Sequence, residues 1–181
     1  MTTTGKPKLG YLGLGLMGSQ MCHRLMENGY EVTGFDPVSE KVEAAVAKGI
    51  TAADSPRAVA EASDIVLACV ITTPALTEAM FGPNGIAEGG ADGKIFLDHS
   101  TTIADKTRDM AARLKSETGM GWVDAPVSGG PPAAGTGELA IMVGGDEADV
   151  AIVKPVLDIL GHNTHMGPLG AGQVTKMVNQ V

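Results

Sequence analysis

The chain has 181 residues, 44% of them hydrophobic, which is enough to bury one sizeable core, so one domain is expected and a second complete domain is not. A net charge of −8, with the lysines and arginines scattered, excludes nucleic acid as the main partner, because phosphate backbones need a basic face. Met1 to Lys8 lacks the apolar centre of a signal peptide and the longest apolar run, Ile65 to Ile71, is far too short to span a bilayer, so a cytoplasmic protein is expected.

The first element in chain order is a short apolar strand, Leu9 to Leu12, followed by Gly13-Leu14-Gly15-Leu16-Met17-Gly18. The three glycines fall at dinucleotide-fingerprint spacing. Gly13 serves the tight turn, Gly15 lets backbone amides approach a pyrophosphate, and Gly18 lets the next helix pack close to the strand. That helix starts near Leu16, carries Met17, Met21 and Leu25, and stops at Gly29; its N-terminus favours phosphate. A second strand, Glu31 to Phe35, ends in Asp36, 18 residues beyond Gly18, near the distance at which an acid meets the adenosine ribose hydroxyls.

After Asp36-Pro37 a helix is predicted over Ser39 to Lys48, with Gly49 as its stop, then a short strand over Ile50 to Ala52. Ser55-Pro56 is an N-cap followed by a first-turn proline, opening a helix through Ala62. Ile65 to Ile71 has the pattern of a central parallel strand covered on both faces. Val70 and Thr72-Thr73-Pro74, at its carboxyl end, are expected to wall the cofactor, since ligands of open α/β sheets collect there.

Further strands are predicted at Ile95 to Asp98, Trp122 to Ala125, Leu139 to Val143 and Thr164 to Met166, with a helix at Ala104 to Lys115. Ala148 to Leu160 reads as a helix that Pro155 kinks or begins. Gly170-Ala171-Gly172 opens a last helix containing Gln173, Lys176, Asn179 and Gln180. Strands alternating with helices predict an α/β fold with a Rossmann-like, doubly wound, mostly parallel sheet. Cys22 and Cys69 lack CxxC spacing and read as buried thiols, and His162 and His165 lack a third ligand, so no metal site is expected.

The chain resembles the β-hydroxyacid dehydrogenases over nearly its whole length, on four separated motifs. The first is the glycine segment from Gly13 to Gly18, where Cys22 and Arg24 depart from the residues usual in the family. The second is Asp98-His99-Ser100-Thr101, with Ala104 where a proline is common. The third is Asp124-Ala125-Pro126-Val127-Ser128-Gly129-Gly130, continued by Gly137, Leu139, Met142, Val143 and Gly144-Gly145, with Ala133 in place of a frequent glycine. The fourth, Gly170 to Gln180, looks like the catalytic-lysine motif.

Oxidising an alcohol with NAD requires removing the hydroxyl proton as hydride leaves, and an amine shielded from water can take that proton, because desolvation favours its neutral form. Lys176 is the candidate, with Asn179, or Gln180 as alternate, orienting the substrate hydroxyl. Ser128, Gly129 and Gly130 suit a carboxylate, through free amides and one hydroxyl. The resemblance sets Ser100 and Thr101 between nicotinamide ribose and substrate. Asp36 repels a 2′-phosphate and Pro37-Val38 supplies no arginine to bind one, so NAD is favoured over NADP.

The resemblance also implies that residues 1–168 form the dinucleotide-binding domain and 169–181 begin a helix leading into an all-helical domain that closes the cleft and makes the homo-oligomer. With the chain ending at Val181 that domain is absent here, and the expectation is a chain that folds, binds NAD and turns over slowly if at all. The activity expected of the parent design is oxidation of a small β-hydroxyacid, or reduction of its semialdehyde. Alternatives are a dinucleotide-binding domain without turnover and a 6-phosphogluconate dehydrogenase, whose histidine-asparagine-glycine continuation is not seen after Val178. Lys176 argues against a scaffold that has lost the lysine and against an imine reductase.

Overall fold

The computed structural model describes residues 5–180; the first four residues of the Met1 to Lys8 segment, and Val181, lie outside the described residues. The first half alternates strand and helix as β1 (Leu9–Leu12), α1 (Leu16–Glu27), β2 (Val32–Phe35), α2 (Ser39–Val46), β3 (Thr51–Ala52), α3 (Pro56–Ala62) and β4 (Ile65–Ala68). Then come α4 (Thr73–Phe81), α5 (Ile86–Gly89), β5 (Ile95–Asp98), α6 (Ala104–Thr118), β6 (Gly121–Asp124), β7 (Val127–Ser128) and α7 (Gly130–Thr136). The chain continues through β8 (Leu139–Gly144), α8 (Glu147–Leu160), β9 (Gly161–Gly167) and α9 (Ala171–Asn179).

The strands lie in the order β3-β2-β1-β4-β5-β6-β8-β7, with β9 also paired to β8. The six from β3 to β6 are parallel, which is the doubly wound Rossmann order; β8 turns antiparallel against β6 and β7, and β9 runs parallel to β8. The central strands are buried on both faces, which explains their continuous apolar runs. Leu9, Tyr11, Leu67 and Leu97 face one core with Met21 and Leu25 of α1 and Val153 and Leu157 of α8. Leu12, Val66 and Phe96 face the other, with Val59 of α3, Leu76 of α4 and Leu114 of α6.

The register positions the site. Leu12, Ala68, Asp98 and Asp124, the last residues of β1, β4, β5 and β6, pair side by side in a row. The residues that follow them, Gly13, Cys69, His99 and Ala125, therefore leave the sheet along one carboxyl edge.

Several expectations change. The run Ile65 to Ile71 is strand only to Ala68, because its partner β1 ends at Leu12; Val70 is half-buried and Ile71 exposed. Helices α4, α5 and α7 were not legible in the sequence pattern: α7 is short and rich in glycine and proline, and α5 is a single turn. The last strand spans seven residues because β8 supplies a long partner, although β9 is mostly exposed and so carries little apolar signal. Pro155 lies inside a continuous α8 and is not its beginning.

Candidate active site

At the first turn the backbone enforces glycine twice. Gly13 has φ +89°, and a Cβ there would sit 2.4 Å from the Cys69 carbonyl oxygen. A Cβ on Gly18 would lie 1.9 Å from the Gly13 carbonyl oxygen, so α1 packs against the turn at a distance that a side chain forbids. Gly15, by contrast, caps α1 with nothing within 4 Å of its Cβ position, leaving the helix N-terminus open to an anion. Leu14 is buried, Met17 half-buried and Leu16 exposed.

Asp36 is 6% exposed at the end of β2, and both its oxygens are used. Oδ2 accepts from Leu14 N–H at 2.9 Å, which ties the glycine turn to β2, and Oδ1 accepts from Val38 N–H at 3.0 Å. Lys41 Nζ stands 3.5 Å from Oδ1, a cation that sequence reading missed because it comes from α2, one helical turn beyond the residues inspected. A cleft of about 480 Å³ opens here, walled by Gly13, Gly15, Asp36, Pro37, Val70 and Ile71. The apolar run thus continues past β4 because Val70 and Ile71 line this cleft. Thr72, Thr73 and Pro74 do not line it; they open α4, with Thr72 Oγ1 accepting from Ala75 N–H at 3.2 Å.

Next along the edge, Asp98 Oδ1 accepts from Ser100 N–H at 2.9 Å, and Ser100 Oγ accepts from Val70 N–H at 3.0 Å, joining the β5 and β4 loops. Burial pushes the Asp98 carboxyl up to about 7, with the nearby Asp124 charge adding to it and the Ser100 bonds opposing. Burial likewise pushes His99 down to about 4, although its Nδ1 meets the Ala125 carbonyl at 2.8 Å. Thr101 is exposed at the apex of this loop.

The far end of the site rests on Asp124. Its Oδ1 accepts from Gly170 N–H at 2.6 Å and its Oδ2 from Gln173 N–H at 2.9 Å, so a carboxylate on β6 satisfies amides at the start of α9. Burial raises the Asp124 carboxyl, and those two amides pull it back down. The Gln173 side chain reaches the Ser100–Thr102 loop from the same helix. One turn further on, Lys176 is 8% exposed and makes no ion pair among the described residues, while Asn179 and Gln180 are exposed. The base of α9 therefore sits on the same carboxyl edge as the glycine turn.

Ser128 and Val127 are half-buried on β7, and Gly129 (φ +132°) and Gly130 (φ +72°) turn the chain into α7. A Cβ on Gly129 would meet the Ala133 methyl at 2.7 Å, so the turn leaves no room for a side chain at 129. No helix among the described residues is long and apolar enough to cross a membrane.

A family profile described as the NAD binding domain of 6-phosphogluconate dehydrogenase matches residues 8–167. The 2-hydroxy-3-oxopropionate reductase of Escherichia coli (strain K12) is 40% identical over 177 residues, 96% of this chain and 59% of that protein. The 2-(hydroxymethyl)glutarate dehydrogenase of Eubacterium barkeri is 38% identical over 175 residues, 96% of this chain and 58% of that one. Among solved structures, the Mycobacterium tuberculosis 3-hydroxyisobutyrate dehydrogenase, recorded with L-serine, matches with a TM-score of 0.91 at 32% identity, covering 97% of this chain and 59% of that one. The chain spans about 60% of the length of these relatives.

Proposed function

This chain belongs to the family of the NAD binding domain of 6-phosphogluconate dehydrogenase, and from that premise we propose that it binds NAD and carries the acid/base lysine of a dehydrogenase acting on a small β-hydroxyacid. The observation that carries this reading is Lys176: a lysine only 8% exposed, with no ion-pair partner among the described residues, on a helix anchored to the edge where the glycine turn opens. The printed names of the relatives, reductases and dehydrogenases of small hydroxyacids, support the same chemistry.

Each residue then has a task. The amides around Gly13, Leu14, Gly15, Leu16, Met17 and Gly18, at the positive end of α1, hold the pyrophosphate. Each Asp36 oxygen spends one lone pair on a backbone amide and keeps another for a ribose hydroxyl, with Pro37 beside it. The negative Asp36 disfavours a 2′-phosphate, which makes NAD the preferred cofactor even with Lys41 nearby. Val70, Ser100 and Thr101 flank the nicotinamide end. When bound, NAD supplies the hydride acceptor.

Ser128, Gly129 and Gly130 receive the substrate carboxylate. Lys176 takes the hydroxyl proton during oxidation and returns it during reduction of the semialdehyde, while Asn179 or Gln180 orients that hydroxyl. The test is calorimetric titration with NAD and NADP, followed by a screen of short 3-hydroxyacids read as NADH absorbance. Tighter binding of NADP than of NAD overturns the cofactor assignment. NAD binding with no hydroxyacid oxidised favours a domain that only sequesters the dinucleotide.

A further inference from the structure

We propose that Gln173 is a positioning residue whose side-chain amide hangs the Ser100–Thr102 loop on α9 and so sets Thr101 relative to Lys176; this rests on the dehydrogenase reading. Gln173 is 2% exposed, an uncommon place for a glutamine, and both polar atoms of its amide are committed. Oε1 accepts from Thr102 N–H at 2.9 Å and Nε2 donates to the Ser100 carbonyl at 2.8 Å. The bonded backbone groups are the two neighbours of Thr101, so one planar amide closes both sides of the loop around it. The reverse orientation of the amide would set N–H against N–H and oxygen against oxygen, so the orientation is unique.

The helix itself has other anchors. Asp124 takes the Gly170 and Gln173 amides. A Cβ on Gly172 would sit 2.3 Å from the Met142 carbonyl oxygen, so the start of α9 is also held by direct backbone packing on β8. Neither anchor needs the Gln173 side chain. Its two bonds cross more than 70 positions of sequence to a loop whose other side-chain ties, Ser100 Oγ to Val70 N–H, Ser100 N–H to Asp98 Oδ1 and Thr102 Oγ1 to Thr107 Oγ1, do not reach α9. The amide thus links the loop that flanks the cofactor to the helix that carries the base. Losing it frees Thr101 while leaving Lys176 and the cofactor turn in place.

The test uses Gln173→Met, which keeps side-chain length and removes both polar atoms, and Gln173→Glu. In the latter an ionised carboxylate sets an oxygen against the Ser100 carbonyl, whereas the protonated form restores a donor there. Hydrogen exchange at the Thr102 amide is expected to accelerate about tenfold or more in Gln173→Met, with Val70 and Gly170 within about twofold. With NAD and 3-hydroxyisobutyrate, kcat is expected to fall about tenfold to a hundredfold while NAD affinity holds, the usual cost of a small misplacement. The ratio of Gln173→Glu to wild-type kcat should climb as pH is lowered.

Unchanged exchange at Thr102, or NAD affinity lost in step with kcat, overturns the proposal. If Gln173→Met does not fold, the Gln173→Glu pH series and its Thr102 exchange decide in the same way. A wild-type protein that binds neither NAD nor NADP refutes the dehydrogenase reading instead, and Thr102 exchange still decides whether Gln173 holds the loop.

Discussion

The two ends of the site are built by opposite means. The glycine turn between β1 and α1 is made by backbone within six residues, Gly13 to Gly18, tied from outside by the Phe35 carbonyl, which accepts from Gly13 N–H, and by the Asp36 carboxylate, which accepts from Leu14 N–H. The base of α9 is held by side chains from distant segments: Asp124 from β6, with its carboxylate on two amides, and Gln173 reaching back to the β5 loop. A local backbone device tolerates change around it but no added atoms at its closest approaches, here Gly13 and Gly18. A network of buried side chains tolerates small shape changes but fails when one partner is lost, because the remaining polar groups stay buried and unpaired.

The largest expected effect separates the two ends on function. Lys176→Ala should lower kcat about a hundredfold to ten-thousandfold, the range for losing a positioned general base, with NAD affinity within about twofold in a titration. An equal loss of NAD affinity would merge the two ends. Gly18→Ala attacks the other end: a methyl 1.9 Å from a backbone oxygen is expected to cost about 3 kcal/mol in urea denaturation, the upper part of the usual overpacking range, and to weaken NAD binding with it.

Asp36→Ala removes the acceptor of two amides and the partner of the ribose hydroxyls. A charge-assisted bond of this kind is worth about 1.5–3 kcal/mol, so the NAD dissociation constant should rise about tenfold to a hundredfold by calorimetry, with NADP affected less. If both cofactors weaken equally, the carboxylate serves the turn and not the ribose.

The smallest effect sharpens the picture of the buried edge between the two ends. Asp98 is pushed up to about 7, so the folded state holds its proton more tightly than the unfolded chain, and its contribution to stability falls as pH rises from about 4 to about 7. His99 is pushed down to about 4, so the folded state resists its proton, and its contribution falls as pH drops from about 6.5 to about 4. The two slopes oppose one another over the window they share. Asp98→Asn should expose the histidine slope, stability rising with pH by up to about 1.4 kcal/mol per pH unit, and His99→Gln the reverse. Urea midpoints at several pH values between these limits read both signs; slopes of the same sign in the two variants would show that these groups do not titrate as described.

The elements that could be read from residues alone are those whose signal is local. The apolar runs of β1, β4, β5 and β6 record burial on both faces, the Ser55-Pro56 pair marks the start of α3, and the glycine spacing marks a turn that backbone sterics require. Only the tertiary structure decided where β4 ends, since Cys69 to Ile71 are as apolar as the strand and leave the ladder because β1 has no partner residues left. It also decided that Lys41 comes beside Asp36, that β9 runs seven residues on an exposed edge, and that Gln173, a polar residue without periodic signal, bonds a loop some 70 positions away. The reason is common to all three: each depends on a neighbour supplied by another segment, and sequence proximity carries no information about which buried polar group will find which partner.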